Sequence, residues 1–119
     1  MNNEMGFTLL ELLTSLTIIG ILTAIAIPQY SKYRMRAFDT RAESDLRNVA
    51  LAEEAYFIGA EHYLSCSQDE CTELPGIARL SDGVSLAIVS EELSFTGTAS
   101  HPQGSGETLR WDSEQGGLQ

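Results

Sequence analysis

"GFTLLELLTSLTIIGILTAIAIPQY", Gly6 to Tyr30, decides how this chain is read. Between Phe7 and Ile27 there is no basic residue and a single acid, Glu11. As a helix rising about 1.5 Å per residue, that run reaches roughly 30 Å, the hydrocarbon thickness of a bilayer. A carboxylate in hydrocarbon costs about 2.5–3.5 kcal/mol on insertion scales, so Glu11 calls for a partner or a function. A cut between Gly6 and Phe7 supplies one: a new α-amine on Phe7, with a reference pKa of about 7.7–8.0. Within one chain that amine points away along the helix axis. Between two chains staggered along a shared axis it meets Glu11, and a matched buried pair of this kind sets the register of an assembly.

Two plainer readings compete. "AIA", Ala24 to Ala26, has the form of a secretory cleavage site. The segment before the apolar run, "MNNEMG", has no Lys or Arg, however, and Pro28 follows two residues past the supposed cut. The run also exceeds the usual apolar length of a secretory signal. A plain membrane anchor is the other reading, with Glu11 protonated or held near the interface about one turn from the helix start.

The same residues resemble the N-terminus of type IV prepilins. Gly6, Phe7, Thr8, Leu9 and Glu11 correspond one for one to the family's processing motif. Gly20, Pro28 and Tyr30 fall at positions common in the type IVa branch, and "SDLRN", Ser44 to Asn48, resembles its short-pilin members. The likeness covers residues 1–60 well and the remainder only in style. Family leaders usually carry Lys or Arg before the glycine, whereas this one has Glu4 and Met5.

The resemblance implies that prepilin peptidase, an inner-membrane aspartic protease, cuts after Gly6 and methylates the amine of Phe7. The mature subunit then waits in the bacterial inner membrane. An assembly platform there feeds it into an extracellular homo-oligomeric helical filament, with apolar helices inside and heads outside. It also implies that the segment from Gly20 to Pro28 melts or extends when subunits pack. The expected division is a leader at 1–6, a membrane or filament-core helix half at 7–28, an amphipathic half at 29–60, and a head at 61–119.

The rest of the chain fits one such α+β domain. Pro28 costs a helix about 3 kcal/mol and Gly20 about 1 kcal/mol relative to Ala, so at least a kink is expected. Beyond Pro28, Phe38, Ala42, Leu46, Val49 and Tyr56 recur at three- to four-residue spacing, which predicts an amphipathic helix to about Gly59. Arg41 with Asp45, and Glu43 with Arg47, stand four apart and are expected to pair. Lys32, Arg34 and Arg36 form a basic collar past the apolar span, either solvated beside a membrane or paired with acids of neighbouring subunits. Residues 61–82 read as a loop holding Cys66, Cys71, Pro75 and Gly76. Two cysteines so close suggest one short disulfide and an oxidising compartment, with two reduced, packed thiols as the alternative. From Val84 the period becomes two, through Val84–Val89, Leu93–Ser100 and Leu109–Asp112. That predicts about three antiparallel strands whose apolar face, with Leu93, Phe95, Gly97 and Ala99 on one side, covers the helix.

Charge excludes some functions. Of 17 acids and 7 bases, five of each lie between Lys32 and Glu54, while ten acids face two bases from Glu61 onward. Such a head offers no clustered Lys/Arg for phosphate, so no direct nucleic-acid partner is expected. No catalytic signature surrounds His62 or His101, both read as surface residues, and "GSG" lacks the lysine of a P-loop. The acids do not follow a calcium-loop spacing, in contrast to type II secretion pseudopilins. No enzyme, cofactor or metal is expected. The aromatics along the helix read as packing rather than an electron path. A structural pilus subunit is therefore the leading reading. A pseudopilin or minor pilin is the alternative, and a membrane-anchored binding module the third.

Overall fold

The computed structural model describes residues 3–119, so the expected leader falls in part outside the described residues. The elements in chain order are helix α1 (Leu9–Ala60), strand β1 (Cys66–Ser67), a 3-10 turn at Gln68–Glu73, then β2 (Ser85–Ser90), β3 (Phe95–Ser100), β4 (Leu109–Asp112) and β5 (Gly117–Leu118). The chain divides into two compact units, one ending at Tyr33 and the other comprising Arg34–Gln119. In the first unit α1 runs through Gly20 and Pro28 as one continuous helix.

In the second unit α1 buries Ala42, Leu46, Val49, Ala50 and Ala52 as one stripe. The stripe forms a single core with Leu86 and Ile88 of β2 and Phe95 and Ala99 of β3. The close approach is made at Gly97. A Cβ there would stand 2.8 Å from Leu46 Cδ1 and 2.7 Å from Ile88 Cδ1, so a side chain at this strand position would force the Leu46 and Ile88 side chains to move aside. Helix α1 ends where Glu61 takes a left-handed φ of 60° and donates its N–H to Phe57 O at 2.8 Å. This is the single-bond left-handed cap, carried here by a non-glycine residue.

The sheet is an antiparallel meander in the order β1-β2-β3-β4-β5. It has five strands where about three were expected from the sequence. The three expected ones are β2, β3 and β4. The additions, β1 and β5, are two residues each and so carry no readable alternation. β1 pairs Cys66 with Ile88 and Ser67 with Ala87. Gln68 then prolongs this edge with its side chain, accepting from Leu86 N at 2.6 Å and donating to Val84 O at 3.3 Å. Its φ of 51° is left-handed, a strain of order 1–3 kcal/mol that the two amide bonds help to offset. β5 depends on the Gly116–Gly117 pair, whose φ angles of 84° and 119° favour glycine.

Three further expectations are corrected, and the disulfide is borne out. The 61–82 segment is not simply a loop, since it contains β1 and the 3-10 turn. Cys66 of β1 and Cys71 of that turn are joined and buried, as the disulfide reading required. Leu93 does not face the core, because the β2–β3 turn, closed by Glu91 N to Ser94 O at 2.7 Å, places it 78% exposed. Of the two expected ion pairs, Arg47–Glu43 forms at 2.7 Å, but Asp45 turns inward instead. Its carboxylate accepts from Ser81 N at 2.8 Å and Ser81 Oγ at 3.0 Å, pinning the 75–81 segment to the helix. Arg41 lies over the Phe38 ring, 5.2 Å from its centroid.

His62 is exposed as expected, but His101 is buried. It stacks on Phe38 at 4.4 Å, its Nε2 lies 3.1 Å from Asp82 O, and its Nδ1 accepts from Gln103 N at 3.0 Å. An Nε2 that donates and an Nδ1 that accepts describe the neutral ring, used here as a structural bridge between loops. Tyr63 packs between Phe57 at 4.6 Å and Phe95 at 4.8 Å, whereas Phe7, Tyr30 and Tyr33 are exposed.

One buried group stands apart. Glu53 is fully buried on the core face of α1. Its Oε2 accepts from Leu64 N at 2.8 Å, while among the described residues Oε1 has no partner. Burial pushes the Glu53 carboxyl above the usual carboxylate range; the Leu64 N–H opposes this and the charge of Glu54 adds to it. Glu54 in turn accepts from the Tyr63 hydroxyl at 3.3 Å. Burial, then Glu54, raise the Tyr63 phenol.

Candidate processing and assembly segment

Residues 3–8 precede the helix without regular structure, and Phe7 is 89% exposed. Gly6 has open space where a Cβ would go and no left-handed φ. Nothing inside the chain requires glycine there, so a requirement for it would be imposed by something that binds this peptide from outside. The bond between Gly6 and Phe7 thus lies on irregular, exposed backbone.

Thr8 and Glu11 start the helix. Thr8 is the N-cap: its Oγ receives the Glu11 N–H at 3.2 Å, and its carbonyl accepts the first helical bond from Leu12 N at 3.3 Å. Glu11 reaches back, and its Oε2 accepts from Thr8 N at 2.8 Å and Thr8 Oγ at 3.0 Å. This is a reciprocal capping box. Sequence reasoning missed it, although "TLLE" at 8–11 is the S/T-x-x-E pattern itself. The run of leucines drew attention to the membrane instead of the cap. The geometry gives Glu11 a local role and leaves room for another. Among the described residues all its bonds use Oε2, and no bond is made by Oε1.

Behind the cap the helix is apolar on every side. Leu9, Leu13, Leu16, Ile19, Leu22 and Ile25 are all between 54% and 78% exposed. The segment's mean hydropathy reaches 2.1, with none of that window buried in the chain. A helix apolar all round belongs inside a larger assembly or a bilayer. Its threonine hydroxyls are already satisfied: Thr14, Thr17 and Thr23 donate to the carbonyls four residues back at 2.8, 2.7 and 2.7 Å. Such internal bonding lets a threonine sit in hydrocarbon without an orphaned donor. At Gly20 the surface is open, with no atom within 4 Å of a Cβ position, so another helix could approach its backbone closely. Pro28 leaves the carbonyl of Ala24 without its helical donor.

The structure therefore brings Gly6, Phe7 and Glu11 into one short stretch. Gly20 and Pro28 lie further along the same helix, and Cys66 and Cys71 lie apart from them in the second unit.

Residues 1–27 match the family described as the prokaryotic N-terminal methylation motif. The chain is 36% identical over 105 residues to the type IV wide pilus major component PilA4 of Thermus thermophilus, covering 87% of this chain and 79% of that protein. It is 40% identical over 73 residues to a fimbrial protein of Pseudomonas aeruginosa, covering 61% of this chain and 47% of that one. It thus spans about half the length of the Pseudomonas relatives it matches. A third relative, the type IV major pilin protein PilA of Myxococcus xanthus, is 40% identical over 58 residues, 49% of this chain and 26% of the relative. The likeness to the Thermus protein extends well past the N-terminal motif into the head, and with it the chain belongs to the type IV pilin family.

Proposed function

We propose that this chain is the structural subunit of a type IV pilus, made as a prepilin. Prepilin peptidase cuts after Gly6 and methylates the new amine of Phe7. The apolar part of α1 anchors the subunit in the inner membrane until the assembly platform draws it into the extracellular filament. There the Phe7 amine of one subunit meets Glu11 of another, and the stretch from Gly20 to Pro28 is the part of the helix that yields as subunits pack.

The observation that carries this reading is the junction at Gly6–Phe7. An exposed glycine with no internal reason to be glycine stands directly before a capped helix that is apolar on all faces. The capping bond and the intersubunit bond are compatible, since Thr8 occupies Oε2 alone. Cleavage also removes the leader and places a cation at the helix start, where the helix dipole disfavours one. The amine therefore gains from an anion beside it, and a neighbouring subunit's Glu11 provides that anion in a low-dielectric core.

Glu11→Val tests the assignment. Cleavage after Gly6 should proceed, because the peptide at the junction is unchanged, while filaments in sheared preparations should fall at least about ten-fold, the equivalent of roughly 1.4 kcal/mol per subunit contact. Wild-type filament yield from this variant would remove Glu11 from the assembly step.

A further inference from the structure

The head carries two surface features that nothing among the described residues satisfies. On α1, Leu51, Ala55 and Ile58 share one face at helical spacing. Leu51 is 68% exposed and Ile58 84%, although Ala52 and Glu53 between them are buried. Beside this stripe runs an open groove of about 420 Å³, with Leu51, Ala52 and Ala55 on one wall and Ile77 and Arg79 on the other. The second feature is the β2–β3 turn. It lifts Leu93 to 78% exposure and sets Glu91 and Glu92 beside it, both exposed. None of these turn residues lines the groove, so the two features do not meet within one copy.

Their chemistries match. From Glu61 onward the chain has ten acids and only two bases, Arg79 and Arg110. One of these two stands in the groove wall. Its only ion pair among the described residues is to Asp82 at 3.9 Å, with side chains 80% and 96% exposed, a contact that contributes little. Arg79 is therefore available to a carboxylate from outside. An apolar tip flanked by acids answers a mixed groove in which Leu51, Ala55 and Ile77 stand beside the Arg79 cation, in a head otherwise dominated by like charge. The Asp45 carboxylate, which also lines the groove, is already held by Ser81.

We propose that the β2–β3 turn of a second copy of this chain docks in this groove, with Leu93 against Leu51 and Ile77 and with Glu91 and Glu92 against Arg79. The two surfaces lie at different places on the head, so the contact is heterologous. Each copy then offers a free turn and a free groove after every addition, and such contacts propagate into open helical assemblies rather than closing as a dimer. This contact deepens the filament reading and rests on it. It makes the heads an adhesive layer of their own, and it makes filament cohesion salt-dependent, because the charges involved are exposed.

The test is a benzoylphenylalanine photo-crosslinker placed at Leu93 of the full chain in its native cell, a position whose exposure tolerates the larger side chain. Illumination should give covalent multimers of this chain, with the adduct mapped by mass spectrometry to residues 48–58 or 75–80. Arg79→Glu should lower the adduct yield about ten-fold, as expected for like charges brought together, and adding Glu91→Arg with Glu92→Arg should restore it. If filaments form but the adduct lies elsewhere on the chain, on another protein, or is absent, the contact is overturned and the filament reading stands. An adduct in the groove in cells that make no filament keeps the contact and overturns the filament reading. Absence of both filament and adduct overturns both.

Discussion

Helix α1 holds two kinds of sequence, and they end in opposite states. Between Ala42 and Glu53 its residues are buried at helical spacing, and the polar ones on that face, Asp45 and Glu53, bond to the loops that cross them. Between Leu9 and Ile27 the residues are more apolar still, yet every one is exposed. Hydrophobicity alone does not tell a core from an anchor. A stripe can be completed by a five-stranded sheet from the same chain, whereas a cylinder cannot. The first region is finished when the chain folds. The second is finished only by lipid or by other copies, and the one carboxylate near its start is spent on the cap in the meantime.

Truncating one leucine in each region tests the contrast most strongly. Leu46→Ala removes a fully buried side chain from between helix and sheet and should destabilise the head by about 2–5 kcal/mol. Leu16→Ala, at a position 61% exposed, should leave head stability within about 0.5 kcal/mol, with any effect appearing in assembly. Thermal unfolding of the full chain in detergent, followed by near-UV circular dichroism, reads both. Equal losses would mean that the apolar segment is part of the head's core.

Replacing Cys66 and Cys71 together by Ser should cost the head about 2 kcal/mol, the loop-entropy value for so short a ring. The loss should fall mainly on the β1 edge, where Gln68 inside the ring clamps β2. Hydrogen exchange at Leu86 N, protected in the wild type and fast in the double variant, would show it. Unchanged exchange there would mean that the ring does not hold the clamp.

Glu53 gives a subtler difference, in the response to pH. Its folded-state carboxyl lies above the usual range, mainly through burial. The folded head therefore holds a proton that the unfolded chain releases more readily. The associated stability is fully present below the unfolded pKa and is lost as pH rises through the folded value. Glu53→Gln keeps an oxygen for Leu64 N–H without the charge. Its melting temperature relative to wild type should increase steadily from acid toward neutral pH, and a pH-independent difference would remove Glu53 as the source.

Much of this was legible in the sequence, for reasons specific to the residues. The helix, its amphipathic stripe and the three central strands follow from periods of 3.6 and 2, which Ala42–Leu46–Val49 and Val84–Leu86–Ile88 display plainly. Two-residue strands have no period, so β1 and β5 were invisible. Leu93 obeyed the alternation but fell in the turn, because the register is set by Glu91 and Ser94 closing the hairpin. Asp45 was expected to pair with Arg41, and His101, beside a turn, to lie at the surface. Their burial depends on tertiary partners, Ser81 and Phe38 with Asp82, that no local pattern announces. The processing segment was the reverse case. Its residues were readable directly, and what was missed, the Thr8–Glu11 cap, was a local signal overlooked beside a louder one.

The intact mass of the protein isolated from its native host bears most directly on whether this is a processed pilin. The expected species lacks residues 1–6, gains one methyl group at Phe7 and is two hydrogens lighter for the Cys66–Cys71 bond. A chain that retains Met1, or one cut after Ala26, would contradict processing at Gly6 and with it the filament built on the Phe7 amine.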